Sequence, residues 1–328
     1  MPIDGGRVPR IPAMQAAVDK SANDGRRRGA QAGVAAACGA GFLWGTGALV
    51  VNLLVQRHGQ APENISFWRF VVGSVVLLAV FGRRSLWPAV RAQLPLLLAA
   101  GTCMALYVTF WFLAIARIGA AVPTLIALCL PPVLVTLLAV ARGRERLDGL
   151  LTLWLVLALG GTALVVTQHS GSLAEADRST LLAGVALSIG SALLYAAFSL
   201  VSGGVSRSLG AGPSAMALTI VAALVMALGA LYTPLAWPGR WTPEAWLLYL
   251  GLVTAALALL VFNWGAARLT PTTLTVATLV EPLTAVLLAA WLLGEALGPR
   301  QWLGAAAMLA AIAGLGRREA RRAAPRGF

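Results

Sequence analysis

The sequence predicts an all-α integral membrane protein: ten transmembrane helices arranged as a 5+5 inverted-topology repeat. Three observations predict it. Apolar residues make up 59 % of the chain and charged residues only 11 %, against roughly a quarter charged in soluble domains. The apolar residues gather in ten runs, each near the length of about 20 residues that crosses a bilayer as a helix. The chain also resembles itself at an offset of 151 residues.

The predicted spans are 33–55, 65–82, 94–116, 119–140, 147–167, 181–202, 213–234, 245–267, 271–293 and 300–316. A backbone inside a bilayer satisfies its own donors and acceptors, so the spans are helices or barrel strands. Alternating ten-residue strand patterns are absent, which selects helices. Residues 1–32 are polar, include Arg26-Arg27-Arg28 and lack a cleavage pattern; they read as a disordered cytoplasmic tail. Residues 317–328 read as a basic cytoplasmic tail, and 168–180 as the external linker between the halves 33–167 and 181–316.

Orientation follows from Lys and Arg. With the N-terminus inside, the tails and even-numbered loops hold nineteen of the 25, including Arg83, Arg84, Arg142, Arg144, Arg146, Arg317 and Arg318. The odd-numbered loops hold five: Arg57, Arg117, Arg178, Arg240 and Arg300. This asymmetry predicts both termini on the cytoplasmic side of the cell membrane. It also accounts for the net charge of +13 without nucleic acid, because the basic residues are dispersed over many loops. The expected partners are the lipid bilayer and a small-molecule substrate; a homodimer is left open.

At the 151-residue offset Trp44 meets Tyr195, Gly59 meets Gly210, Pro62 meets Pro213, Arg117 meets Arg268, Thr124 meets Thr275 and Pro131 meets Pro282. A one-residue gap then aligns Glu145-Arg146-Leu147 with Glu295-Ala296-Leu297. Five spans per half is odd, so the second half enters the membrane from the opposite side. Inverted repeats are a common design of secondary transporters, with the site near the midplane between the halves.

Leu-Val-Glu281-Pro282-Leu, Trp291-Leu-Leu-Gly294-Glu295 and Gln301-Trp302-Leu-Gly304-Ala closely resemble the last two helices of the EamA family of the drug/metabolite transporter superfamily. Leu-Trp44-Gly45 and Phe67-Trp68-Arg69-Phe70 resemble its early helices. The resemblance covers residues 33–316 and implies a five-plus-five inverted fold that moves small metabolites. It departs at Leu130, the repeat counterpart of Glu281, so a site built on that Glu is asymmetric.

Glu281 is the leading functional candidate, as the coupling residue. A carboxylate mid-span costs about 2.5–3.5 kcal/mol on insertion scales. Pro282 removes a helical hydrogen bond and is expected to free the Thr278 carbonyl. Glu281 then serves either proton or substrate coupling, or pins a kink by bonding a neighbouring helix. Pro131 and Pro132 are expected to break the fourth span in the matching place. Arg69 either binds an anionic group or snorkels to the headgroups. Ser188, Ser191, Tyr195, Ser199 and Ser202 lie on one helical face, which lines a wet cavity or packs tightly. Trp44 and Asn52 take the equivalent place in the first span. Cys103, Tyr107 and Trp111 share a face of the third span that walls a cavity or packs against neighbours. Asn263 needs a hydrogen-bond partner, and a bridge between helices is preferred over a substrate contact. The substrate-binding set is therefore Trp44, Asn52, Arg69, Tyr107, Trp111, Tyr195, Ser199 and Asn263. The site is expected between spans 4 and 9, walled by spans 1, 3, 6 and 8.

No phosphate loop of the GxxxxGK[ST] type exists, and the one lysine is Lys20, in the tail, which excludes ATP hydrolysis by this chain. Three separated cysteines (Cys38, Cys103, Cys129) and two histidines (His58, His169) suggest neither disulfides, a metal nor another cofactor. No Asp falls inside a predicted span, which argues against an enzyme. The expected function is secondary active transport by alternating access, with export of small metabolites such as amino acids and proton coupling through Glu281. A lipid-linked sugar or headgroup flippase is the alternative from the same superfamily, and a membrane scaffold or receptor the alternative from another class.

Overall fold

The computed structural model describes residues 12–119, 121–166, 177–232, 234–293 and 297–322. Among them there is no strand, and long helices follow one another through short turns. These are α1 (Pro12–His58), α2 (Pro62–Phe81), α4 (Leu94–Ile118), α5 (Ala121–Ala141), α6 (Gly149–Val166), α7 (Arg178–Leu209) and α8 (Ala211–Ala227). A short α3 (Trp87–Ala92) precedes α4. Next comes α9 (Trp241–Tyr249), which runs through a π-helical stretch, Leu250–Leu257, into α10 (Ala258–Ala266). Then α11 (Pro271–Ala277) leads to α12 (Val280–Leu293), and α13 (Pro299–Arg322) closes the chain.

Eight of these helical stretches are long and apolar enough to cross a membrane, by length and composition. Ala211–Ala227 is apolar but shorter. The tenth, α13, ends in an arginine-rich turn. The described residues of the ten predicted spans thus lie mostly in helices, and eight of those stretches are long and apolar enough to cross a membrane.

Two tails differ from expectation. Helix α1 starts at Pro12 and runs unbroken through Arg26-Arg27-Arg28 into the first span, so residues 12–32 are helical. Their Ala, Gln, Lys and Arg content favours helix. Residues 1–11 lie outside the described residues, as does most of the expected linker, 168–176. At the other end α13 carries residues 317–322 into the protein: Glu319 and Ala320 are buried.

Packing has the same pattern in both halves. Helix α1 packs on α10 and α12, and its counterpart α7 packs on α4 and α5. Helix α2 packs on the π-helical stretch, and its counterpart α8 packs on α4. Two further pairs, α2 with α8 and α6 with α13, join equivalent helices to one another. Small residues set these approaches. A Cβ on Gly33 would stand 3.1 Å from Leu269, and one on Gly184 would stand 2.7 Å from Ile118. Both members of the second pair lie 151 positions from those of the first. Gly59 and Gly210, also 151 apart, end α1 and α7 with φ of 60° and 85°, a region that suits glycine.

The bundle has two ends. The turn at 59–61 and Gly119 lie at one, called here the far end. The turns at 142–148, 210 and 267–270, with the C-terminal turn of α13, lie at the other, the tail end.

Candidate functional site

A cavity of about 410 Å³ lies between the halves. Its deep wall is formed by Trp44 of α1, Tyr107 of α4, Tyr195 of α7, and Glu281 and Pro282 of α12. Arg69 of α2 and Ala127 and Leu128 of α5 also line it. Toward the far end it is bounded by Asn52, Gln56, Pro62, Trp111, Ile115 and Thr124, and the side chains of Asn52 and Gln56 are exposed there. No residue of the tail-end turns lines it. The cavity therefore opens at the far end and is closed toward the tail end.

An aromatic floor makes that closure. The Phe198 and Phe262 rings stack with centroids 5.3 Å apart, Trp44 packs on Phe262 at 5.4 Å, and Tyr107 meets Tyr195 edge-on at 5.2 Å. Both phenylalanines are wholly buried. Polar tips hold the ring positions. Trp44 Nε1 donates to the Thr254 carbonyl at 3.0 Å, inside the π-helical stretch. Wide π turns leave carbonyls available for such partners. The Tyr195 hydroxyl lies 3.1 Å from Thr278 Oγ1, and Trp111 Nε1 donates to Thr124 Oγ1 at 3.2 Å.

The helix around Glu281 is interrupted at Thr278 and Leu279, between α11 and α12. Sequence reasoning expected Pro282 to leave the Thr278 carbonyl free. Instead that oxygen accepts from the Glu281 amide at 3.0 Å, and the Val276 carbonyl accepts from the Leu279 amide at 3.1 Å. The missing proline donor is thus replaced by shorter-range turn bonds. Helix α1 lies directly on the break. A Cβ on Gly41 would stand 2.7 Å from the Thr278 carbonyl oxygen, and one on Gly45 would stand 2.6 Å from that of Glu281. Only glycine permits this approach of helix to backbone.

Of the predicted residues, Trp44, Asn52, Arg69, Tyr107, Trp111, Tyr195, Glu281 and Pro282 meet in this one cavity. Four others do not line it. Ser199 Oγ bonds back to the Tyr195 carbonyl at 2.8 Å. Ser188 and Ser202 also bond back to their own helix, so most of the α7 stripe serves packing; Ser191, bonded to the Tyr107 carbonyl at 2.8 Å, does line the cavity. Asn263, fully buried, donates to the Leu259 carbonyl and accepts from Ser206 Oγ at 2.7 Å, the expected bridge between helices. Pro131 and Pro132 do not break their span: α5 is continuous across them. Each proline removes one donor from the ladder, but the turns on either side stay helical, and Thr136 Oγ1 donates to the Pro132 carbonyl at 2.6 Å. The walls also differ: α2 contributes Arg69, while the eighth span stands behind Trp44 through Phe262, and Phe198 of α7 stands behind Tyr107.

Arg69 and Glu281 face this cavity without hydrogen-bond or ion-pair partners among the described residues. The ion pairs among the described residues are Arg318–Asp148 and Arg322–Glu145, neither of them here. Arg69 Nε is buried with no hydrogen-bond partner, and its guanidinium rests 4.8 Å from the Phe70 ring centre.

A second polar group, missed in the sequence, seals the tail end. Glu319, 9 % exposed, accepts from the Thr270 amide at 2.9 Å, from Thr270 Oγ1 at 2.9 Å and from Thr273 Oγ1 at 2.7 Å. A carboxylate here also complements the positive N-terminal end of α11. Glu145, 6 % exposed, accepts from Thr272 Oγ1 at 3.2 Å and pairs with Arg322 at 2.9 Å. Thr136 reaches Thr272 at 3.1 Å, and Arg318 pairs with Asp148 at 2.5 Å. The first turn of α11 is thus gripped by α13 on one side and by α5 with its following turn on the other. The Thr-Pro-Thr-Thr-Leu-Thr run at 270–275 and the lone acid among the arginines at 317–322 were its available signals.

Comparison with known proteins matches residues 31–167 and 182–317 to two copies of the EamA-like transporter family domain. The chain is 29 % identical over 280 residues to "Uncharacterized transporter YwfM" of Bacillus subtilis (strain 168), covering 82 % of this chain and 88 % of that one. A crystal structure 21 % identical in sequence superposes with a TM-score of 0.72 over 87 % of this chain and 99 % of its own, a likeness of fold.

Proposed function

This chain belongs to the EamA-like transporter family, a multi-pass membrane protein, and on that premise we propose that it is a gradient-driven exporter of small amphipathic metabolites. In this reading ten spans form two halves of opposite insertion sense, with both termini cytoplasmic in the cell membrane and the far end outside. The exchange-symmetric packing of the halves supports it. Alternating access then consists of opening the far end and the tail end in turn.

The observation that carries the reading is the cavity at the helix break, open at one end and closed at the other by an aromatic floor and a polar latch. Glu281, without a hydrogen-bond partner among the described residues and beside the break, is the group that loads and releases a proton. The break lets α11 and α12 move separately: α12 carries Glu281, while α11 is held at its first turn by Glu319 and Glu145.

The test is flux in liposomes with an imposed pH gradient, using the wild-type chain and Glu281→Gln. Uphill solute movement that follows the gradient in the wild type and loses its pH dependence in the variant is expected. PH-driven flux of equal size in both would remove proton coupling through Glu281. Movement of labelled lipid headgroups with no solute flux would replace export with lipid flipping.

A further inference from the structure

Below the aromatic floor the tail end is shut along the seam between α7 and α10, which pack on one another. Three contacts make that seam. The Phe198 and Phe262 rings stack at 5.3 Å. Gly203 brings the backbones together, since a Cβ there would stand 2.6 Å from the Ala266 carbonyl oxygen. Ser206 Oγ donates to Asn263 Oδ1 at 2.7 Å. All six residues are buried.

Subtracting the 151-residue offset carries these pairs onto α1 and α4: Gly47 with Trp111, Asn52 with Ile115, and Val55 with Phe112. All six of these residues line the cavity, and all but Gly47 are partly or fully exposed. Helices α1 and α4 have no extended packing on one another.

The correspondence is one of geometry as well as of sequence. Helix α1 meets α10 in the register in which α7 meets α4. Gly33 faces Leu269 as Gly184 faces Ile118, and Gly39 faces Val261 as Gly190 faces Phe110. Every member of one set lies 151 positions from its mate. The two helix pairs are therefore equivalent units, and the halves differ in which seam is shut. In an inverted repeat, exchanging the conformations of the halves exchanges the end that is open.

We propose that Trp111 is the far-end gate, and that it closes over Gly47 of α1 when the tail end opens. Asn52 with Ile115 and Val55 with Phe112 complete the shut seam. One indole over a bare glycine takes the place of the two stacked phenyl rings. In this structure the indole is held aside, its Nε1 donating to Thr124 Oγ1 of α5 at 3.2 Å. Closure releases that bond and turns the ring toward α1. The two gates differ in chemistry. The Ser206–Asn263 bond maps onto Val55 and Phe112, so the far seam holds no buried polar bond at that level. Asn52 stands where α7 has the glycine of its closest approach, so α1 and α4 shut less tightly. The far seam is the weaker of the two, and the form closed at the tail end is the resting one. The proposal rests on the transport reading above and names the gate that reading requires.

The experiment is state-dependent cross-linking of the full chain in liposomes, with Cys38, Cys103 and Cys129 replaced by alanine. The reporter pairs are Val55→Cys with Phe112→Cys, and Asn52→Cys with Ile115→Cys, joined by a short bifunctional thiol reagent. Tail-end opening is read separately, by labelling of Thr275→Cys with an impermeant thiol reagent from the tail side. Three substitutions weaken the tail seal independently: Glu319→Ala, Asn263→Ala and Phe198→Ala. Each one that raises tail-side labelling should raise both far-end cross-links by roughly tenfold or more. Adding Trp111→Ala should remove most of that rise while leaving tail-side labelling intact, which separates a gate from a misfolded protein. Trp111→Phe should keep part of it. Tail-side labelling that rises without either cross-link overturns the gate and leaves transport by alternating access standing. Cross-links that rise equally with and without Trp111 overturn its role. No rise in tail-side labelling for any of the three, in folded protein, defeats both the gate and the transport reading.

Discussion

Glu319→Ala should unlock the tail end. The carboxylate accepts three hydrogen bonds, from one amide and two hydroxyls of α11. Hydrogen bonds to a charged group contribute about 1.5–3 kcal/mol each. Part of the loss is recovered, because Thr270 and Thr273 already lie 3.0 Å apart and can bond each other, and water can reach the vacated volume. A net loss of about 3 kcal/mol follows, against a closed tail end that α13 otherwise holds through Arg318 and Arg322. If those bonds exist only while the tail end is closed, about 3 kcal/mol shifts the closed-to-open ratio by roughly 150-fold. The assay is labelling of a single cysteine at Thr275→Cys, with Cys38, Cys103 and Cys129 replaced by alanine. Thr275 is 1 % exposed on α11, one turn beyond the latch. An impermeant thiol reagent applied from the tail side should label it far faster when Glu319 is alanine. An unchanged labelling rate in a folded, monodisperse variant would refute the latch.

Gly45→Ala should destabilise the protein by about 1–3 kcal/mol, because the new methyl would stand 2.6 Å from both the Glu281 carbonyl oxygen and Thr284 Cβ; unfolding midpoints in detergent measure it, and flux should fall further than stability as α12 is displaced. Gly304→Ala should cost a similar 1–3 kcal/mol through the Gly161 carbonyl at 2.6 Å, but without changing solute affinity, since α6 and α13 do not line the cavity. Tyr195→Phe should lose about 1 kcal/mol with the Thr278 contact while retaining the aromatic floor, which thermal melts and binding together would show. The Arg318 guanidinium holds the Asp148 carboxyl down to about 2, so this pair stabilises fully above the ordinary carboxylate range, weakens below about pH 4 and is lost as pH falls through about 2. Because the pair is partly exposed its share is at most about 1 kcal/mol, and Asp148→Asn should flatten the acid limb of stability against pH by that amount.

The spans and most of the cavity were legible because each left a local mark in the chain. Apolar runs of fixed length, glycines at one offset and an acid beside a proline mark spans, close approaches and a break without knowledge of neighbours. Arg69 and Glu281 stood out as ionic residues in apolar surroundings. What could not be read was which polar atoms satisfy themselves. Ser199 was indistinguishable from Ser191 by spacing, and only the position of α4 decides that one bonds its own helix and the other lines the cavity. Pro131-Pro132 was expected to break its span as Pro282 does, yet α5 holds its course and the lone proline marks the interruption. Phe198 and Phe262 were invisible as floor residues because an aromatic in an apolar run carries no signal of its neighbour. Residues 317–322 were read from charge alone, which hid Glu319 among arginines. Gly294 and Glu295, which carried part of the family resemblance, lie outside the described residues.

The two unpaired charges in the cavity have an electrical consequence. If coupling runs through Glu281 as proposed, the empty carrier with Arg69 and Glu281 both ionised presents no net charge from this pair to the field across the membrane, and a solute without net charge adds none. In that reading the leg that carries solute is silent to voltage. Return with a proton on Glu281 would leave Arg69 uncompensated and move one positive charge, worth about 2.3 kcal/mol per 100 mV. Membrane potential should accelerate that return leg alone, so current would be recorded only when the proton-loaded form reorients.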